Sequence, residues 1–358
     1  MAQVLNAVEA VSPAFETTKQ LLFQPFRFRK WARLAIITLL SGELGSGGNL
    51  GGNYNIPAPS KSNKDFVTHF AAAQPWDWLM QNLVWVAIIL AAAVGLALVL
   101  MYVHSVFRFL LFDAVVFDRY ELGEGWRRWQ TQGTSFFYWQ LCLGLTMMVV
   151  LGLVVGVPVY LAWRAGVFQN PSEHLALLFG GGILLFFVLV GIVIAGALIA
   201  LFARDFVVPH MALENIGVLE GWRRLRPMLA AQKWSYAGYV GMKILLALAA
   251  AIVFAILNVA ALLLLLIPLI IAGVIVGFAA AAAGLTWNVA TITAAVIAGL
   301  GVIGLLLYVM GFVTTPSAIF FQSYTLYFFS GRYPALAERL HPAPPPAPPP
   351  MPAPQPAA

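Results

Sequence analysis

Apolar residues in this chain run on without the polar interruptions that an amphipathic helix or a half-buried strand would show. Leu79 to Val103, Phe137 to Trp163 and Leu175 to Ala203 are three such runs, and no Asp, Glu, Lys, Arg or His occurs between Lys243 and Arg332. About 20 helical residues cover the roughly 30 Å of hydrocarbon in a bilayer. Each run therefore predicts a membrane-spanning helix. The uncharged stretch holds at least two more, Ile244 to Ile267 and Val289 to Phe312, with Pro268 to Leu285 as a further span or a kinked or re-entrant continuation.

Periodic patterns are confined to the shorter segments. Leu5, Val8, Val11, Phe15 and Leu22 fall near helical spacing, with Glu9, Glu16, Lys19 and Gln20 elsewhere. This predicts an amphipathic helix within residues 1–24, with Ser12 as N-cap and Pro13 in the first turn, ended by Pro25 and resting on the membrane surface beside Arg27, Arg29, Lys30 and Arg33. Trp31 to Leu40 is apolar but short, and reads as a short first span or a re-entrant helix. Gly45 to Pro59, rich in Gly, Asn and Pro, predicts a flexible loop, and Lys61 to Gln74 a polar extracytoplasmic segment. Trp76, Trp78 and Trp85 mark an interfacial belt. Ten prolines between Pro342 and Pro356 predict a disordered polyproline II tail.

The expected fold is all-α: a polytopic integral membrane helical bundle of about six transmembrane helices with an internal repeat. The organisation is 1–75 for the interfacial helix, short span and Gly-rich loop; 76–336 for the bundle, in halves of about 76–203 and 204–336; and 337–358 for the tail. Composition agrees. The chain is 61% hydrophobic and 9% charged over 358 residues, too few charges to cover a water-soluble surface. Its single Cys142 excludes an intramolecular disulfide. Met1 to Gln24 lacks the basic and apolar regions of a cleavable signal peptide.

Charge adds a side to the topology. Most Lys and Arg gather in the N-terminal segment and in two connectors, His104 to Gly133 and Arg204 to Lys233. That is a cytoplasmic-retention pattern and not a nucleic-acid footprint. Each connector carries the same five residues, Glu124-Gly125-Trp126-Arg127-Arg128 and Glu220-Gly221-Trp222-Arg223-Arg224. A glutamate and an arginine four apart can pair on a helix, as Glu124 with Arg128 and Glu220 with Arg224. Ile216, Leu219, Trp222, Leu225 and Met228 recur every three residues as an apolar stripe. Trp126 and Trp222 belong at headgroup depth, with Arg127, Arg128, Arg223 and Arg224 beside lipid phosphates. If Thr314 to Tyr333 matches the connector ends, an even number of crossings follows Lys233, which gives six in all with both termini cytoplasmic; seven is the alternative.

Candidate chemistry is sparse. Asp113, Asp118, Asp205, His104 and His210 form no metal or nucleotide motif, so no catalytic residue, metal or cofactor is expected. The central spans lack ionisable groups, which argues against proton-coupled transport. Gly152 and Gly156, and Gly273 and Gly277, form GxxxG pairs expected to pack helices within the monomer.

Phe23-Gln-Pro-Phe-Arg27, Arg204-Asp-Phe-Val-Val-Pro209, the two repeated blocks, Tyr324-Thr-Leu-Tyr-Phe-Phe329 and Arg332-Tyr-Pro-Ala-Leu336 together resemble an uncharacterised multi-pass family of bacterial membrane proteins. In layout that family is similar to the membrane domain fused to some glycerophosphoryl diester phosphodiesterases. The resemblance covers most of residues 12–336, implies a bacterial inner membrane location, and brings no catalytic residues, because the soluble phosphodiesterase domain is absent. It does not explain the proline tail. The expected role is a non-enzymatic membrane scaffold or accessory protein. Its partners would be anionic lipid headgroups and a protein ligand for the tail. A transporter or channel for a lipid-like or small substrate, and a lipid-headgroup enzyme, are the alternatives; the oligomeric state is open.

Overall fold

A computed structural model describes residues 5–42, 82–169, 174–284 and 288–340. The Gly-rich loop, the polar segment after it and the proline tail lie outside the described residues. Two short helices, α1 (Val11–Phe23) and α2 (Phe28–Leu40), open the chain. Then come α3 (Leu83–Phe117), α4 (Leu122–Arg164) and α5 (Leu175–Phe202). A π-helical turn (Ala203–Val207) leads into α6 (Val208–Glu214) and α7 (Val218–Ala231). The long α8 (Lys233–Ala282) and α9 (Val289–Ser330) precede α10 (Pro334–Leu340).

Five helical stretches are long and apolar enough to cross a bilayer, and their most apolar windows are almost wholly exposed. Leu264 and Phe278 on α8, and Phe179 and Phe187 on α5, are each more than 60% accessible. Apolar surface costs about 25 cal/mol per Å² in water, so these flanks are solvated by acyl chains. The protein is an integral membrane protein. The expected sixth crossing falls on α2, whose 13 residues extend only about 20 Å. Pro268 to Leu285 adds no crossing of its own, because α8 continues through Pro268 to Ala282. Two span-length helices, α8 and α9, follow the second connector.

The helices are longer than a span requires. At about 1.5 Å per residue, the 42 residues of α9 reach about 63 Å, twice the hydrocarbon thickness. The surplus forms the core. Buried positions cluster in Ser105–Val115 of α3, Gly311–Ser330 of α9, the π-helical turn with the start of α6, and Tyr236–Ala247 of α8. Phe206 sits at the middle, its ring 5.1 Å from those of Tyr239 and Phe329 and 5.2 Å from Tyr236. A second aromatic chain, Phe109–Trp129 and Phe136–Trp139–Trp222, ties α3 to α4 and α7.

Helix α2 lies against this core. Its basic start is held by Lys30 and Asp118 at 2.7 Å, and the chain beyond its other end reaches Gly42, which abuts the His104 ring. Trp31 stacks on Phe312 at 5.3 Å and donates its indole N–H to that residue's carbonyl. Helix α1 packs on the final turns of α9, where the Thr17 and Tyr327 hydroxyls are 2.8 Å apart. It buries Ala14, Thr18 and Leu22 and leaves Val8 and Phe15 exposed. Of the apolar stripe read from the sequence, Leu22 is buried and Val11 packs on the core, whereas Val8 and Phe15 turn outward. Ser12 is inside the helix, because α1 starts at Val11 after Ala10.

The GxxxG pairs also fall elsewhere than expected. Nothing lies within 4 Å of a Cβ built on Gly152, Gly156, Gly273 or Gly277, so they face open space and do not pack helices within the monomer. In the apolar region Gly196 on α5 lies close against Met147 on α4, and Gly311 on α9 lies close against Ala35 and Leu39 on α2.

Stability should therefore concentrate in the extramembrane end. Phe206→Ala removes a fully buried ring and should destabilise by about 3–5 kcal/mol. Phe187→Ala, at a lipid-facing position, should stay within about 0.5 kcal/mol. Unfolding in mixed micelles followed by circular dichroism measures both, and equal losses would contradict this placement of the core.

Candidate functional site

Both repeated blocks begin one turn after a left-handed residue ends the preceding helix. Asp118 (φ 52) closes α3 and Asn215 (φ 55) closes α6, and these side chains tolerate that conformation better than most. Each following helix then presents its block in the same way. Gly125 and Gly221 are buried, Trp126 and Trp222 half-buried, and the four arginines exposed. The glycines are required by close approach: a Cβ would stand 2.9 Å from Leu110 at Gly125 and 2.7 Å from Val207 at Gly221. Trp126 packs edge-on to Tyr102 at 5.7 Å, and Trp222 lies 6.1 Å from Trp139. The blocks lie at one end of the bundle, joined by that tryptophan pair and by the Gln132 amide donating to Asn215.

The arginines divide into two kinds. Arg128 reaches back across the turn to the buried Asp113 at 2.8 Å, and Arg224 reaches back to Glu214. Arg224 also lies 3.6 Å from Glu220, as the spacing predicts, whereas the pair described for Arg128 is with Asp113 and not Glu124. Among the described residues Arg223 pairs with Glu220, one turn away, and it keeps 79% of its side chain exposed. Arg127 is exposed as well. The expected three-residue stripe in α7 holds in part: Leu225 is buried and Trp222 and Met228 pack on the core, whereas Leu219 is 76% exposed and Val218 and Gly221 are buried as well. Leu219, Arg223 and Arg226 thus share the outward face.

Behind the blocks lies a network that the sequence does not disclose. Asp205 accepts from Lys243 at 2.5 Å and from the Tyr239 hydroxyl at 2.9 Å, while Arg204 stands 3.5 Å from its other oxygen. Tyr239 also meets the Thr325 hydroxyl at 2.7 Å. The π-helical turn sets this up. Pro209 has no N–H for the carbonyl four residues back, and the Val208 N–H bonds to the Ala203 carbonyl instead. A bulge of this kind rotates the residues it contains relative to a regular helix. Lys243 was the last cation before the uncharged stretch; its pairing joins α8 to the turn through groups 38 residues apart.

His210 is buried, with Nδ1 2.8 Å from the Phe206 carbonyl and its ring 4.4 Å from that of Tyr333. Tyr333 donates to Glu214 at 2.5 Å, and burial raises its phenol above the ordinary value. Asp113, Asp205 and His210 thus have separate partners and share no centre. A cavity of about 370 Å³ beside the first block is lined by Asp113, Asp118, Glu121, Glu124, Arg119 and Arg128, a mixture of both charges. Among the described residues no three His, Cys, Asp or Glu side chains are placed to hold a metal ion.

A buried pair stripped of one partner leaves an uncompensated charge. Lys243→Met should therefore destabilise by about 3–5 kcal/mol, and Asp205→Asn in the same chain should restore a large part of the loss. A double-mutant cycle read by unfolding in mixed micelles tests this; additive losses would show that the two side chains do not act as a pair.

No curated protein and no solved structure matches the chain. A family model does match, over residues 5–339, and its description is a family of unknown function. The chain belongs to that family, DUF7544, as an integral membrane protein.

Proposed function

We propose that the protein is a non-catalytic membrane scaffold or accessory protein whose basic end docks on an anionic leaflet. The observation that carries this is the division of labour within the two blocks. In each, the second arginine is tied to an acid on the preceding helix, and the first is turned out at the same end of the bundle. A pair of arginines used only for stability would both face inward. Arg226 and Leu219 extend the outward face, and Trp126 and Trp222 stand beside it as interfacial side chains do.

The distribution of charge supports placing this end in the cytoplasm, and the family resemblance supports a bacterial cell. At the opposite end the turn after α4 carries Arg164 alone, and the turn after α8 carries no cation. The parallel geometry of the blocks supports two related halves, a layout similar to the membrane domain of the phosphodiesterases named above. Chemistry is not part of this reading, because Asp113, Asp205 and His210 are each engaged with different groups. A carrier would draw on Asp205 and Lys243 as ionisable groups inside span-length helices, but their close pairing with each other and with Tyr239 favours a structural role. The proline tail would take a protein partner.

Each basic residue near an anionic leaflet contributes about 1 kcal/mol. Replacing both Arg127 and Arg223 with Gln should therefore reduce the enrichment of anionic lipid around the protein by about 2 kcal/mol, roughly thirty-fold. Energy transfer from tryptophan to a labelled anionic lipid in mixed nanodiscs reads this, and the wild-type signal should fall with salt. Replacing Arg128 and Arg224 should instead lower stability by about 1–3 kcal/mol with smaller loss of enrichment. The docking reading fails if the outward pair leaves enrichment unchanged.

A further inference from the structure

Several cations at this end of the bundle meet a carboxylate: Lys243 and Arg204 meet Asp205, Arg128 meets Asp113, and Arg224 meets Glu214. Arg332, just past the end of α9, does not. Its Nε donates to the Gln232 side chain at 2.7 Å, and its Nη1 donates to the Leu5 and Phe328 carbonyls at 3.1 and 2.7 Å. The guanidinium lies 4.0 Å from the Phe328 ring centre. Among the described residues every acceptor it has is neutral. The bond to Phe328 closes the end of α9, but it does not balance the charge. Burial holds this guanidinium below its ordinary value, as expected of a cation partly removed from water without a counter-ion.

Arg332 also lines an open groove of about 530 Å³ between the N-terminal segment and α8. No acidic side chain among the described residues lines it. Trp234, Gly238, Met242 and Leu245 form its α8 wall, at spacings that keep them on one helical face. Trp234 at the upper end is 90% exposed, and Leu245 at the lower end is 64% exposed and faces lipid. From Trp234 to Leu245 the wall runs about 16 Å. The groove thus begins at an uncompensated cation, passes an interfacial tryptophan and opens onto the acyl-chain region. Val8, 68% exposed, supplies an apolar flank on the other side.

We infer that this groove binds one anionic phospholipid, its phosphate on Arg332 and an acyl chain along Gly238, Met242 and Leu245. The charge calls for an anion, and the apolar wall below it selects a lipid over a soluble phosphate. Nε and both Nη1 hydrogens are engaged within the protein, which leaves the two N–H groups of Nη2 to donate to a phosphate. The inference deepens the proposed leaflet docking but uses a different contact. The outward arginines attract many lipids through a screened field, whereas Arg332 holds a single one against neutral protein groups.

Two variants test the site. Arg332→Gln removes the cation. Gly238→Leu fills the groove without disturbing the fold, because nothing lies within 4 Å of a Cβ at Gly238 and leucine is the better helix former. Native mass spectrometry of protein released from nanodiscs of phosphatidylglycerol and phosphatidylcholine, after a high-salt wash, counts retained lipid. Wild-type protein should keep one phosphatidylglycerol, and each variant should lose it by about tenfold or more. Retention by Gly238→Leu equal to wild type overturns the inference, whatever Arg332→Gln does. So does preferential retention of phosphatidylcholine, or displacement of the lipid by inorganic phosphate alone. The Arg127→Gln, Arg223→Gln protein should retain this salt-resistant lipid while losing its salt-sensitive enrichment, so the two readings fail separately.

Discussion

Helices surrounded by acyl chains have no hydrophobic reason to associate, because lipid is as apolar as their own leucines. This constraint explains where the structure invests its specific contacts. The lipid-facing halves of α3, α4, α5, α8 and α9 are almost bare of neighbours, and their extensions converge on rings and ion pairs at one end. The Phe206 cluster supplies burial there, and the Asp205, Lys243 and Tyr239 network supplies direction. An aromatic cluster tolerates small rotations of its helices. A carboxylate shared between an ammonium and a phenol does not, since displacing either partner leaves charge unpaired in a poorly solvated place.

The two repeated blocks meet the same constraint from the other side. Each must close a sharp turn between long helices and still present a wet surface. Its glycine allows the helix to approach the one before it, its tryptophan covers the junction, and its second arginine locks the turn to an acid behind it. Only the first arginine remains for external partners. Five residues thus combine a packing role and a surface role, which is why the unit recurs intact in two different surroundings.

Arg332 stands apart because its site offers carbonyls, an amide and rings in place of a carboxylate. Such a cation is tolerable where an anion from outside can complete it. Its position, between a helix terminus and a groove that runs down to lipid-facing leucine, links the basic end of the bundle to the bilayer beside it.

Much of this was legible in the residues. Uncharged runs longer than a bilayer is thick dictate helices, since only a helix satisfies its own backbone in hydrocarbon. The extent of α5 follows from that, as do the lipid-facing parts of α3 and α4, and the charge-poor turns against the basic connectors place the two blocks together. What the tertiary structure alone decided is pairing. Helical periodicity reports which residues share a face, but not which helix that face meets. Arg128 therefore turned to Asp113 and not to Glu124, and Lys243 found Asp205 across 38 residues. The GxxxG glycines faced outward, and α1 buried Ala14 and Thr18 together with Leu22 while Phe15 stayed exposed. Chain length and composition fix what a segment can be in lipid; the partner of a buried charge depends on the rotation and depth of helices that no local pattern encodes.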